Sequence, residues 1–139
     1  YGATPQVGRD YATELAGKVV LDAGNPRPGR DGPMAEEAVE MGAGLASQQF
    51  LPGVRLVRAF NAISAHNLRS QAHRSGEKLA IPLAADDEAA LEVAARLVTD
   101  AGFDPVIVGP LASAKAFDFN SGVSARMPTA RELRELLGL

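Results

Sequence analysis

Cysteine is absent from all 139 residues, which removes disulfides, thiolate metal sites and cysteine nucleophiles together. That absence fits a reducing compartment. Tryptophan is also missing, and aromatic residues make up only 5% of the chain, too few for a platform on which nucleic-acid bases could stack. Positive charge is not in excess. Fourteen Lys and Arg against 17 Asp and Glu leave a formal charge of −3, which argues against nucleic acid or an anionic membrane as the main partner. No apolar run approaches the roughly 20 residues of a membrane span. The opening Tyr1-Gly-Ala-Thr-Pro-Gln6 has neither the basic nor the apolar region of a secretory signal. These absences lead us to expect a cytoplasmic protein with no membrane partner. The chain also begins without Met, and reads as the ordered or processed part of something longer.

What remains is ordinary globular material, 46% hydrophobic and 22% charged, without repeats or a dividing linker, so residues 1–139 read as one domain. Short β-rich runs alternate with helix-period segments, the pattern of an α/β fold with a largely parallel sheet flanked by helices. Strands are expected at Lys18–Asp22, Val54–Phe60, Lys78–Ala84 and Pro105–Val108. Pro82 suggests an edge position or a bulge. Val7, Tyr11 and Leu15 recur at spacings of four and predict one helical face within Gln6–Leu15. Further helices are expected over Met34–Met41, from about Ile63 to His73, from Asp86 to Ala101, and over Ala130–Leu137 behind a Thr129 cap. Gly24–Pro33, rich in Pro and Gly, reads as a loop.

Dinucleotide enzymes need G-x-G-x-x-G between a strand and a helix, where backbone N–H groups meet the pyrophosphate. The nearest match, Gly42-Ala-Gly-Leu-Ala-Ser47, follows a helix and reads as a helix-to-helix turn. The Gly24–Gly32 loop follows a strand but lacks Gly-Lys-Ser/Thr, so it is no P-loop. Asn25-Pro26 follows the first strand, where open α/β sheets bind ligands. Asn25 is either a turn residue or a donor and acceptor for a carboxamide or ribose. Phe60-Asn61-Ala62-Ile63 ends the second strand in the same way. Its apolar residues flanking an amide suit a flat cofactor ring, or else they are core beside a helix cap. His66, Arg69, His73 and Arg74 share one expected helix without a carboxylate or thiol, so no metal site is expected. Asp86-Asp87 sit at a helix start and read as caps. No Ser lies in G-x-S-x-G.

Together, Leu15–Pro26, Val57–Ile63, Ile81–Asp87 and Gly102–Leu111 resemble the family of NADPH-dependent coenzyme F420 reductases and their dinucleotide-binding relatives, over nearly the whole chain. The resemblance implies a Rossmann-like, doubly wound sheet on which NADP (or NAD) binds across the strand ends. Hydride would pass between the nicotinamide and a deazaflavin, coenzyme F420, or a flavin-like acceptor. By matching motifs, Asn25 and Pro26 would lie near the nicotinamide, and Phe60, Asn61, Ala62 and Ile63 would line the gap between the two rings. Tyr1, Gly2 and Ala3 would pass close to the cofactor, and Gly109-Pro110-Leu111 would form a turn beside the acceptor. No catalytic acid or base is implied, since hydride transfer between stacked rings is a matter of positioning.

Two departures from the family stand out. Its N-terminal βαβ half, with the glycine-rich turn, has no counterpart here, and Ala85 replaces the Gly before the Asp-Asp pair. A sheet without that half would leave the Val19–Asp22 strand bare, so a homo-oligomer or pairing with a separate N-terminal half is expected. Three readings stay open: an oxidoreductase or part of one, a catalytically incomplete half-domain that binds a ligand or partner, and a reductase acting on a flavin, quinone or metal chelate.

Overall fold

Short aliphatic runs with period-two alternation build the sheet, and the helices pack on it through Ala- and Leu-rich stripes. A computed structural model describes residues 1–119 and 121–139, the side chains of 124 and 125 excepted. Val19–Asp22 (β1), Arg55–Arg58 (β2), Ala80–Ala84 (β3) and Asp104–Gly109 (β4) form one sheet in the order β1-β2-β3-β4. β1 and β2 run parallel, as do β3 and β4. β2 meets β3 antiparallel, through the single pair Arg58 and Ala84. The expected α/β class with mostly parallel pairing therefore holds, but the sheet is mixed. Alternation cannot reveal such a reversal, because the side-chain period is two in either orientation.

Helices cover both faces. Between β1 and β2 lie Pro28–Asp31 (α3), Pro33–Met41 (α4) and Ala43–Phe50 (α5). Glu88–Asp100 (α7) connects β3 to β4. Val57, Ala59, Ile81 and Leu83 pack against Ala90, Leu91, Ala94 and Val98 of α7, with Phe103 closing the cluster. On the other face, Leu56 packs with Leu51, Val54 and Leu111. Ala80, Ala84 and Val106 meet Ala114 and Phe117 of a 3-10 helix, Leu111–Phe117 (η1), and Leu133 of Ala130–Leu137 (α9). Each large apolar side chain buried this way contributes about 1.5–3 kcal/mol.

Side-chain caps mark some of the helix starts. Asp87 accepts a hydrogen bond from Ala90 N at 2.9 Å, and Asp86 accepts one from Leu111 N at 2.9 Å, so the two acids cap two different helices. Arg55 reaches Asp87 at 2.6 Å. The Arg55 guanidinium, helped by the backbone N–H groups of α7, holds the Asp87 carboxyl well below the usual aspartate range. Thr129 and Glu132 form a reciprocal capping box at α9. The backbone N–H of Thr129 lowers the Glu132 carboxyl in turn.

Several expectations need correction. The helix expected over Gln6–Leu15 is two helices, Thr4–Asp10 (α1) and Ala12–Leu15 (α2), broken at Tyr11 with φ −119° and ψ 23°. Val7 and Tyr11 are exposed, and only Leu15 joins a core cluster. The buried residue of α1 is Gly8, where a Cβ would stand 1.8 Å from the Phe50 carbonyl oxygen. Close approach of two backbones, and not a stripe of side chains, seats this helix. The helix expected over Ile63–His73 shortens to Ala65–Ser70 (α6), capped by Ser64. His73 takes φ 54° and, with Arg74, lies beyond it.

Pro82 sits in an interior strand, not an edge, although a register shift does follow between Leu83 and Ala84. The N–H of Ala80 goes to Pro128 O and that of Ala85 to Gly109 O, so even-numbered positions of β3 face away from β4. Pro82 therefore omits its donor on the side that β2 pairs only at Ala84. The Gly24–Pro33 loop contains the single turn of α3, and within Gly42–Ser47 only Gly42, at φ 104°, is a turn. The rest opens α5. No expectation covered η1 or Val123–Arg126 (α8).

Candidate functional site

β1 and β2 are parallel neighbours, so their carboxyl ends emerge side by side, where open α/β sheets place ligands. Val57 of β2 and Ala59 just beyond it point toward α7, which sends Leu56 and Arg58 to the opposite face, with α5 and η1. At that inner position stands a guanidinium whose side chain is 0% exposed. Arg58 Nη1 donates to Asp22 Oδ2 at 2.9 Å and to the Gly24 carbonyl. Its Nη2 donates to Asn25 Oδ1 at 3.1 Å and to Asp118 Oδ1 at 3.0 Å. An uncompensated buried cation would cost several kcal/mol, and two carboxylates and three further oxygens, those of the Asp22 and Gly24 carbonyls and the Asn25 amide, surround this one.

The network continues through the amides. Asn25 Nδ2 donates to the Asn61 carbonyl at 2.9 Å, and Asn61 Nδ2 donates to the Phe117 carbonyl at 3.0 Å. Asp118 Oδ2 accepts from Ala43 N at 3.0 Å, at the start of α5. Tyr1 OH donates to the Ala43 carbonyl at 3.1 Å and accepts from Ser47 Oγ at 3.1 Å. Burial pushes the Tyr1 phenol up. Among the described residues, Arg58 Nε and Asn61 Oδ1 are buried without a hydrogen-bond partner.

Beside this network opens a cavity of about 270 Å³, lined by Pro26, Val39, Lys115, Asp118, Phe119 and Ser121. The Arg27 guanidinium lies 4.2 Å from the centre of the Phe119 ring. Lys115 Nζ donates to the Glu40 carbonyl at 2.7 Å, at the C-terminal end of α4. The walls thus combine apolar surface with a carboxylate and an ammonium. At just under the roughly 300–1,000 Å³ of ordinary ligand pockets, the cavity fits one ring-sized group and not a whole dinucleotide. A second depression, between Arg126, Pro128, Glu132, Glu135 and Leu136, shares none of these residues.

The nine residues singled out in the sequence fall into three groups. Asn25, Pro26, Asn61 and Tyr1 come together: Pro26 lines the cavity, the two amides are joined, and a Cβ on Gly24 would meet the Tyr1 ring at 2.9 Å. Gly2 and Ala3 are exposed, with Gly2 beside Asp31. Phe60, Ala62 and Ile63 are half-buried and pack against the two core clusters, away from the cavity lining. Phe60 also holds φ 60°, a left-handed conformation that a bulky residue adopts only when its surroundings impose it. Asn61 is 3% exposed.

Sequence reading passed over Arg58, Asp22 and Asp118. The available signal for Arg58 was a charged residue where the strand becomes fully apolar, at the junction with Ala59 and Phe60. Nothing local marks Asp118, which reaches the site from 60 positions away. Among the described residues no cluster of His, Cys, Asp or Glu could hold a metal ion, and no helix is long and apolar enough to cross a membrane.

No family model and no curated protein sequence matches the chain. Solved structures do. A hypothetical protein from Sinorhizobium meliloti superposes with a TM-score of 0.67 at 23% identity, over 90% of this chain and 62% of its own. A protein from Arthrobacter sp. FB24, described as a proposed F420-dependent NADP reductase, superposes with a TM-score of 0.65 at 23% identity, over 99% of this chain and 62% of its own. The chain therefore spans about 62% of the length of either structure. Likeness at this level of identity is one of fold, and the fold is a Rossmann-like mixed α/β sheet flanked by helices.

Proposed function

We propose that this chain forms the part of an oxidoreductase that receives the ring end of a nicotinamide dinucleotide, NADP(H) or NAD(H), opposite a deazaflavin such as coenzyme F420 or a flavin-like acceptor. The observation that carries the reading is the pair of joined strand tips at Asn25 and Asn61 beside a ring-sized cavity. The fold likeness to a proposed F420-dependent NADP reductase supports it. Pro26, Val39 and Phe119 would enclose the ring and exclude water, while Lys115, Asp118 and Ser121 offer polar groups to its substituents. Tyr1, Asn25 and Asn61 would hold the cavity floor from behind. The bound cofactor supplies the hydride, and the protein's part is to position its ring. Phosphate anchoring would come from outside this chain, since the Gly24–Gly32 loop after β1 carries neither G-x-G-x-x-G nor Gly-Lys-Ser/Thr, and no such motif follows β2.

The test is to titrate NADPH and NADH into the full-length polypeptide and to follow acceptor-dependent loss of reduced nicotinamide. Val39→Trp fills the cavity from an exposed position. It is expected to weaken binding and turnover by about tenfold or more, one factor of ten being about 1.4 kcal/mol. Failure of both dinucleotides to bind would overturn the redox reading and leave a half-domain that binds a partner.

A further inference from the structure

We propose that Arg58 is the positioning residue of the cavity, through a forked contact that ties the β1 tip to the cavity wall at Asp118. This rests on the redox reading for its kinetic consequence but not for the contact itself. Three geometric facts carry it. The guanidinium is fully buried, so it does not itself meet a ligand. Its two terminal nitrogens together span two segments: Nη1 holds Asp22 and Gly24 and Nη2 holds Asn25, all at the tip of β1, while Nη2 also reaches across to Asp118. Asp118 in turn lines the cavity and caps Ala43 at the head of α5. One side chain thereby sets the spacing between Pro26, which follows Asn25, and the wall opposite.

A lysine could not replace it. An ammonium is a point charge on a flexible stem and cannot reach both sides of the fork, whereas the planar guanidinium presents its donors in fixed directions. Arg58→Lys keeps the charge and should keep the fold, but it releases either the β1 tip or Asp118. Asp118→Asn keeps the shape and one oxygen for the cap on Ala43 while removing the charged contact. Misplacing a ring by about 1 Å costs up to about a hundredfold in rate.

The experiment uses the full-length polypeptide, measuring kcat and KM for NADPH with a deazaflavin or flavin acceptor alongside thermal unfolding of each variant. The expected result is that R58K, at a residue that does not line the cavity, lowers kcat about 10- to 100-fold with little change in KM, and that D118N lowers kcat to a similar extent. The double variant should be no slower than the worse single one, because both cut the same contact. A merely structural role would lower the unfolding temperature and spare kcat in the molecules still folded. Single variants within twofold of the parent in kcat, or losses that multiply in the double variant, overturn the proposal. Should the parent show no turnover with any nicotinamide, the functional reading fails separately. The contact is then judged from unfolding alone: non-additive destabilisation by R58K and D118N supports it, and additive destabilisation overturns it.

Discussion

At the scale of single residues, polar side chains do more here than either amide was expected to do. Asn61 reads in the sequence as a ligand contact or a cap, and in the structure it is a buried tie to the Phe117 carbonyl. Asn61→Ala leaves that carbonyl unpaired, and is expected to destabilise the protein by about 1–3 kcal/mol in urea unfolding. Asp87 carries a pH dependence. Its carboxyl is held down in the folded state by Arg55 and the α7 backbone, so its stabilisation is present above its ordinary value of 3.8 and is lost as the pH falls below that. Asp87→Asn should flatten the acid side of the stability profile, and added salt should weaken the parent's effect because the pair is half-exposed. An unchanged acid limb in the variant would refute the assignment.

Among the elements, agreement was closest where a local signal defines a boundary. Asp86-Asp87 announced α7, and Thr129 announced α9, because a cap is written into a few adjacent residues. Agreement failed where the decisive contact is remote. Val7, Tyr11 and Leu15 share a spacing of four, but α1 is seated by Gly8 on the end of α5, and the helix breaks to allow it. Gly8→Ala therefore drives a methyl group into the Phe50 carbonyl. The expected loss is ~3 kcal/mol, the upper part of the overpacking range, read as a lower midpoint in thermal or urea unfolding. A variant as stable as its parent would mean that α1 docks by some other surface.

For the whole molecule, the open question at the sheet's end is the free side of β1. Arg55 N donates to Lys18 O and Ala59 N to Asp22 O, so the even-numbered positions face β2 and the backbone groups of Val19 and Leu21 face outward. Such an edge is a template for another strand. We expect the 139-residue chain to self-associate with rising concentration in sedimentation velocity, and a monomer at every concentration would count against it.

Alternation of apolar residues, glycine and proline punctuation and capping acids determined the α/β class, the four strands and the main helices, because each depends on neighbours a few residues apart. Only the tertiary structure decided the antiparallel junction of β2 with β3, the joining of Asn25 to Asn61, and the cavity wall brought by Asp118. Those features pair residues 26 to 60 positions apart, and no local period records which distant oxygen a buried guanidinium will find.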